Sequence, residues 1–289
     1  MKTPVVFIIF NRPELTKQVF RMISKVKPET LFVISDGPRN KNEKIIVEIT
    51  RNIIEQVNWK CRIFKKYSDT NLGCRISVAS GLDWVFNQVE EAIILEDDCV
   101  PNSTFFPYCS ELLQKYKDNE KIMMISGNNF IAQKIEDSYD FSRHSLIWGW
   151  ATWKRAWEKY KKAEKEGLMY IATNKETLYK LMAQKRINAI QKTLQGEIDT
   201  WDYIWQLTLL MNKGLCIFPK ENLIKNIGFG KDATHTKLKT FHSNLKTISI
   251  TFPLKHPRTI SVNLKFEQNT AKTYSLLFTL IDMLKQFFR

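Results

Sequence analysis

The chain has 289 residues, 44% of them apolar and 26% charged, enough to bury a full core in one large domain or two small ones. Its apolar runs are short (Val5 to Phe10, Ala92 to Leu95), whereas a membrane-spanning helix needs roughly 20 residues, so no bilayer-crossing segment is expected. A formal charge of +14 suits anionic partners, from polyanions to phosphorylated small molecules, but equally suits a solvated, soluble surface.

Pro4 to Phe10 is an uninterrupted branched and aromatic run that stops at Asn11-Arg12-Pro13, the pattern of a strand buried on both faces. No signal-peptide cleavage site follows that run, and the five cysteines are scattered without a Cys-x-x-Cys pair. Both features lead us to expect a reduced, cytoplasmic protein. From Glu14 to Val26, Leu15, Val19, Phe20, Met22, Ile23 and Val26 recur at helical spacing, and Leu31 to Ser35 resumes a strand that ends in Asp36-Gly37-Pro38. A helix follows around Lys44 to Asn58, with Ile45, Ile49, Ile53 and Val57 as its apolar stripe. Then come a strand at Cys61 to Tyr67, a helix from Ile76 to Gln88 and a buried strand at Ala92 to Leu95. This alternation predicts an α/β fold with a mostly parallel sheet covered on both faces. Ligands in such sheets bind beyond the strand C-termini. Asn11-Arg12, Asp36-Gly37 and Glu96-Asp97-Asp98 should therefore line one crevice.

Further along, Phe105 to Tyr116 and Ile122 to Ser126 read as helix and strand. Ile147 to Trp157 holds four of the eight tryptophans, with Trp153 and Trp157 expected to form a core pair. Helices are expected at Lys154 to Lys165, Glu176 to Leu194 and Asp199 to Met211, and a loop around Asp232-Ala233-Thr234-His235-Thr236. Tyr274 to Arg289 is an amphipathic basic segment suited either to an anionic membrane surface or to packing on its own domain. The organisation expected is a donor-binding α/β half over 1–127, an acceptor-side half of the same domain over 128–245 and a C-terminal extension over 246–289.

Three adjacent carboxylates at Glu96, Asp97 and Asp98 repel one another unless a cation, an arginine or solvent relieves them. One or two such groups at a strand end can bind Mg²⁺ or Mn²⁺ while diphosphate oxygens fill other positions, although the same acids also suit a helix cap. The string Ile94-Leu95-Glu96-Asp97-Asp98, followed by Pro101 and Phe105-Phe106, resembles the Glu-Asp-Asp form of the Asp-x-Asp motif of GT-A glycosyltransferases. The resemblance is to the family of N-acetylglucosaminyltransferase I and related bacterial family-2-like sugar transferases, over residues 3 to 236. Also similar are Pro4 to Pro13, Asn71-Leu72-Gly73-Cys74-Arg75, Trp148 to Trp153 and Trp201-Asp202. This chain departs from the family enzyme at Tyr203, where a second aspartate would match it more closely.

The resemblance implies a GT-A (Rossmann-like) fold and a metal-dependent, inverting transfer from a nucleotide sugar, with UDP the preferred nucleotide, to a glycan, glycolipid or glycoprotein acceptor. It implies Asp98 as metal ligand and Asp202 as general base. Phe10, Asn11, Arg12, Asp36, Arg75, Glu96, Asp97 and His235 fall on the donor side, and Trp148, Trp150 and Asp199 on the acceptor side, with Asp199 a rival base or a helix cap. The location expected from the N-terminus and the cysteines is cytoplasmic, with the basic tail suited to peripheral attachment to the inner face of the membrane or to packing on its own domain. Two other classes share some of these features. A nucleotidyltransferase usually carries a glycine- and lysine-rich phosphate loop after its first strand, and Phe10-Asn11-Arg12-Pro13-Glu14 is not one. A basic nucleic-acid-binding module would fit the charge, but no zinc, KH or RNP motif is present and no nucleic acid is expected.

Overall fold

The computed structural model describes residues 1–131, 135–229 and 245–270. The loop containing His235 and the amphipathic segment Tyr274 to Arg289 lie outside the described residues.

The first half follows the expected alternation. Strands β1 (Val5–Ile9), β2 (Thr30–Ser35), β3 (Arg62–Tyr67) and β4 (Glu91–Glu96) alternate with helices α1 (Pro13–Val26), α2 (Lys41–Asn52) and α3 (Cys74–Phe86). After the short β5 (Cys99–Pro101) come α4 (Phe105–Tyr116), β6 (Ile122–Ser126), β7 (Tyr139–Ser142) and β8 (Trp150–Trp153). Helices α5 (Lys154–Trp157), α6 (Tyr160–Thr173), α7 (Lys175–Leu181), α8 (Gln184–Leu194) and α9 (Asp202–Met211) precede β9 (Leu215–Pro219) and β10 (Ile224–Asn226). Eight strands form one sheet in the order β3-β2-β1-β4-β8-β6-β9-β7. It is mostly parallel, with β8 and β7 reversed. The architecture is the Rossmann-like α/β sheet that the alternation predicts. The same sheet takes strands from both the 1–127 and 128–245 stretches, and β5 pairs with β10 beside it.

Side chains alternate across β1, so one strand feeds two cores. Val5, Phe7 and Ile9 pack with Val19 and Ile23 of α1 and with Phe105, Phe106, Leu112 and Leu113 of α4. Val6 faces the other way, joining Val78, Leu82 and Val85 of α3, the tryptophans 150, 157, 201 and 205, and Ile204 and Leu209 of α9. Burial on both faces explains why β1, β2 and β4 read as continuous apolar runs.

Several expectations need correction. Helix α2 ends at Asn52 and continues as a 3-10 turn, Ile53–Gln56. The buried residues there are Val47, Thr50, Ile53 and Ile54, whereas Ile45 and Ile49 of the expected stripe are 66% and 48% exposed. The stretch packs against α1 with Val47, Thr50, Ile53 and Ile54 buried, while Ile45 and Ile49 face outward. The helix expected over Glu176 to Leu194 breaks at Met182, whose extended backbone buries its side chain with Ile187, Ile190 and Leu207. The tryptophan-rich stretch contains a strand, β8, inserted between β4 and β6. Trp153 and Trp157 are both buried, but they belong to cores on opposite faces of the sheet and do not form a pair. Among the described residues no helix is long and apolar enough to cross a membrane.

Candidate functional site

The C-terminal ends of β1 and β4 lie side by side, since Ile8 of β1 is in register with Glu96 of β4. Arg12, in the turn after β1, therefore reaches the acids that end β4. Its Nε donates to Asp97 Oδ2 at 3.2 Å, a second nitrogen donates to Asp97 Oδ1, and Nη1 pairs with Asp98 Oδ2 at 3.0 Å. The forked guanidinium thus bridges both aspartates. Asp97 is buried, and it also accepts the amide of Phe10. Asp98 is the more open, with its side chain 14% exposed against 3% for Asp97. Asn226 and the Cys99 thiol each donate to Asp98 Oδ1 at 3.3 Å. Gly228 backs directly onto this carboxylate, and a Cβ there would fall 2.1 Å from Asp98 Oδ2.

The cluster carries more negative charge than Arg12 relieves. Burial, then the charges of Asp98 and Asp97, holds the Glu96 carboxyl well above the usual range against the pull of Arg12, and the charge of Asp202 adds to the rise. Burial raises Asp97 too, although Arg12 opposes it. The thiol of Cys74, at the start of α3, marks the meeting point of four chain segments. Burial pushes it up, and the charges of Glu96, Asp199, Asp202 and Asp36 all push in the same direction. The ends of β1 and β4 meet through Arg12, and acids from the ends of β2 and β4 and from the stretch around the start of α9 all act on the Cys74 thiol.

Asp36 has a different role from the donor contact expected of it. Its Oδ1 accepts the amides of Gly37 at 2.8 Å and Leu72 at 2.9 Å, while its Oδ2 accepts Asn71 Nδ2 at 2.9 Å and the Gly73 amide at 3.1 Å. A carboxylate has about four lone-pair positions, and these four donors fill them. Asp36 therefore holds the 71–73 loop, and Arg51 clamps the same corner by donating to the carbonyls of Asp36 at 2.9 Å and Ser68 at 2.8 Å. Arg75 is likewise turned from the expected phosphate position toward α6, where Nη1 pairs with Glu164 at 2.8 Å. Asp199 accepts two backbone amides of α3 and so acts as a cap. Asp202 opens α9, and Thr200 Oγ1 donates to its Oδ1.

Phe10 and Asn11 form a second wall. Asn11 Nδ2 donates to Glu43 Oε1 at 2.7 Å, and Arg39, paired to the same Glu43, lies over the Phe10 ring at 5.5 Å. Sequence reasoning missed Arg39 and Glu43. The available signal was the capping pattern Asn40-x-x-Glu43, in which Asn40 accepts the Glu43 amide at 3.0 Å. On the acceptor side, Trp148 is partly buried in edge contact with Phe130 and Phe229 at 4.9 and 5.6 Å. Trp150 is fully buried and stacks on Trp201 at 5.3 Å, so it is a core residue beneath the site and presents no face to a sugar.

Among the described residues no group of three or more histidine, cysteine or acidic side chains is arranged to hold a metal by itself. A site completed by substrate oxygens has different needs. Asp98 carries hard oxygen donors of the kind Mg²⁺ and Mn²⁺ take, and because Arg12, Asn226 and Cys99 already face them, an ion bound there would take the place of one of these partners.

No family model matches the sequence, and no curated protein matches it. Solved structures share features of the fold. UDP-glucose pyrophosphorylase complexed with UDP-glucose is 10% identical over 76% of this chain and 90% of that one, with a TM-score of 0.39. A 4-diphosphocytidyl-2C-methyl-D-erythritol synthase from Anaerococcus prevotii is 14% identical over 56% of this chain and 76% of that one, at 0.37. S. aureus TarS 1-349 is 13% identical over 56% of this chain and 49% of that one, also at 0.37. With TM-scores of 0.39 or less these likenesses carry no argument, and the chemistry has to be read from this chain's own side chains.

Proposed function

We propose that the protein is a metal-dependent glycosyltransferase. In this reading it moves a hexosyl or N-acetylhexosaminyl group from a nucleotide sugar, preferably UDP-linked, to a hydroxyl of a glycan, glycolipid or glycoprotein acceptor. The carrying observation is the convergence of Glu96, Asp97 and Asp98 around Arg12 at the C-terminal edge of a mostly parallel sheet, with Asp202 near enough for its charge to act on Glu96. Such an edge is where α/β folds bind nucleotides.

Asp98 is the residue to hold Mn²⁺ or Mg²⁺, because it is the more open of the two aspartates on Arg12. When bound, the ion supplies Lewis-acid stabilisation of the departing diphosphate. Arg12 fixes the orientation of Asp97 and Asp98, and Phe10 with Asn11 forms the wall for the nucleoside. Asp202 accepts the proton of the acceptor hydroxyl. The hydroxyl oxygen bonds to the anomeric carbon as the bond from that carbon to the diphosphate oxygen breaks, which inverts the centre. The rest of the catalysis is positioning. Trp148 offers the aromatic face for the acceptor sugar.

The test is transfer from a set of nucleotide sugars, with Mn²⁺ and with chelator, for the native protein and Asp98→Ala. Metal-dependent transfer that Asp98→Ala abolishes supports the proposal. Full transfer by Asp98→Ala in chelator removes the metal role. Release of pyrophosphate from a nucleoside triphosphate and a sugar phosphate reassigns the protein to nucleotidyl transfer.

A further inference from the structure

Asp199 stands three residues before Asp202 and is the other carboxylate on the acceptor side. Both of its oxygens are already engaged. Oδ2 accepts the amide of Cys74 at 2.8 Å, and Oδ1 accepts the amide of Arg75 at 2.9 Å. These are the first two amides of α3, donors that no bond within a helix can satisfy. Gly73, at the cap position, has no side chain to offer, so a carboxylate from 125 positions away serves instead and places its charge at the positive end of the helix. The fit depends on that glycine. Gly73 sits at φ +81°, and a Cβ there would fall 2.6 Å from Asp199 Oδ2.

The contact ties the two sides of the site together. On the donor side the 71–73 loop is held by Asp36, and α3 is tied a second time by the Arg75–Glu164 pair with α6. On the acceptor side Thr200 donates to Asp202, Tyr160 donates to the Trp201 carbonyl at 3.3 Å, and Trp201 stacks on buried Trp150. The short run from Asp199 to Asp202 is thus pinned to α3 at one end and to the tryptophan core at the other.

We propose that Asp199 is a positioning residue for Asp202: by capping α3 from the far side of the crevice, it sets the place of the Asp202 carboxylate relative to the donor loop 71–75. This rests on the reading of Asp202 as general base. It assigns Asp199 the cap, one α3 amide on each of its oxygens, and leaves proton transfer to Asp202.

The experiment compares the native protein, Asp199→Ala, Asp199→Asn and Asp202→Asn by hydrogen exchange at the Cys74 and Arg75 amides and by steady-state kinetics. Asn keeps one acceptor oxygen and the side-chain shape, which guards against a folding failure of the alanine variant. We expect exchange at the two amides to quicken about tenfold in Asp199→Ala. The kcat for transfer should fall about 10- to 100-fold while the donor KM stays within about twofold, with Asp199→Asn in between. Quickened exchange with unchanged kcat overturns the proposal. So does a loss in both Asp199 variants as complete as in Asp202→Asn while the amides stay protected, because that makes Asp199 the base. If the native protein turns over no nucleotide sugar, the glycosyltransferase reading fails and takes the positioning role with it, while amide exchange still reports on the tie itself.

Discussion

At the scale of single residues, the acids after β4 and Arg12 form one interdependent unit, and removing either side should show it. Arg12→Ala leaves Asp97 buried without its ion-pair partner and is expected to destabilise the fold by about 3 kcal/mol, measurable by urea unfolding. Asp98→Asn should keep the fold and lose Mn²⁺ binding, read by titration calorimetry. A second buried group gives a pH dependence. Both ring nitrogens of His144 are buried without a hydrogen-bond partner among the described residues, and burial, aided by the charge of Arg186, pulls its pKa down to about 4. A histidine held below its unfolded value near 6.5 favours the unfolded chain once protonated. Its full stabilising contribution is present above about pH 6.5 and is lost as pH falls toward 4, by about 3 kcal/mol. Unfolding midpoints compared between pH 7.5 and pH 4.5 should show this loss, and His144→Leu should flatten it.

At the scale of elements, two tryptophans in one short stretch separate packing from recognition. Trp150 on β8 lies under the site among Trp157, Trp201 and Trp205, and Trp150→Ala is expected to cost about 4 kcal/mol through the cavity it leaves. Trp148→Ala should cost less stability and chiefly raise the acceptor KM, because this ring is only partly buried. Gly73→Ala combines a left-handed backbone with a blocked cap, so about 2 kcal/mol of stability should be lost by thermal melting. The elements also show where periodicity misleads. Ile45 and Ile49 have helical spacing, and the helix is real, yet the packing line runs through Val47 and Thr50. An apolar stripe reports that a helix has a face, and the neighbour it meets chooses which face is buried.

At the scale of the whole molecule, one sheet carries residues from both halves of the site, so ligand binding at its edge should stabilise the fold as a unit. A nucleotide sugar at about a hundredfold excess over its Kd is expected to add about 3 kcal/mol, and Mn²⁺ should deepen the thermal shift. A shift with neither UDP-sugars nor other nucleotide sugars would count against the donor site. The charge of +14 sets the general field, but the crevice itself is locally acidic. The two act at different ranges. Under the proposed function, long-range attraction would bring a phosphorylated donor toward the protein, and a cation at the acids would seat its diphosphate.

The sequence by itself determined the alternation of β1 to β4 with their helices, because strands buried on both faces must be continuous apolar runs. It also determined that three acids stand at the end of β4 and that Arg12 stands in the turn after β1, since local order places each there, but their meeting across 85 positions came from the β1–β4 pairing. It did not determine the strand order beyond β4, where reversed β8 enters between β4 and β6 through pairings distant in the chain. Nor could it separate the roles of Asp36, Arg75 and Asp199, all plausible ligand contacts by type. Their partners are Leu72, Glu164 and the amides of α3, brought together only by folding. A carboxylate's chemistry is legible from its name, but whether its lone pairs remain available depends on which donors the tertiary structure brings against it.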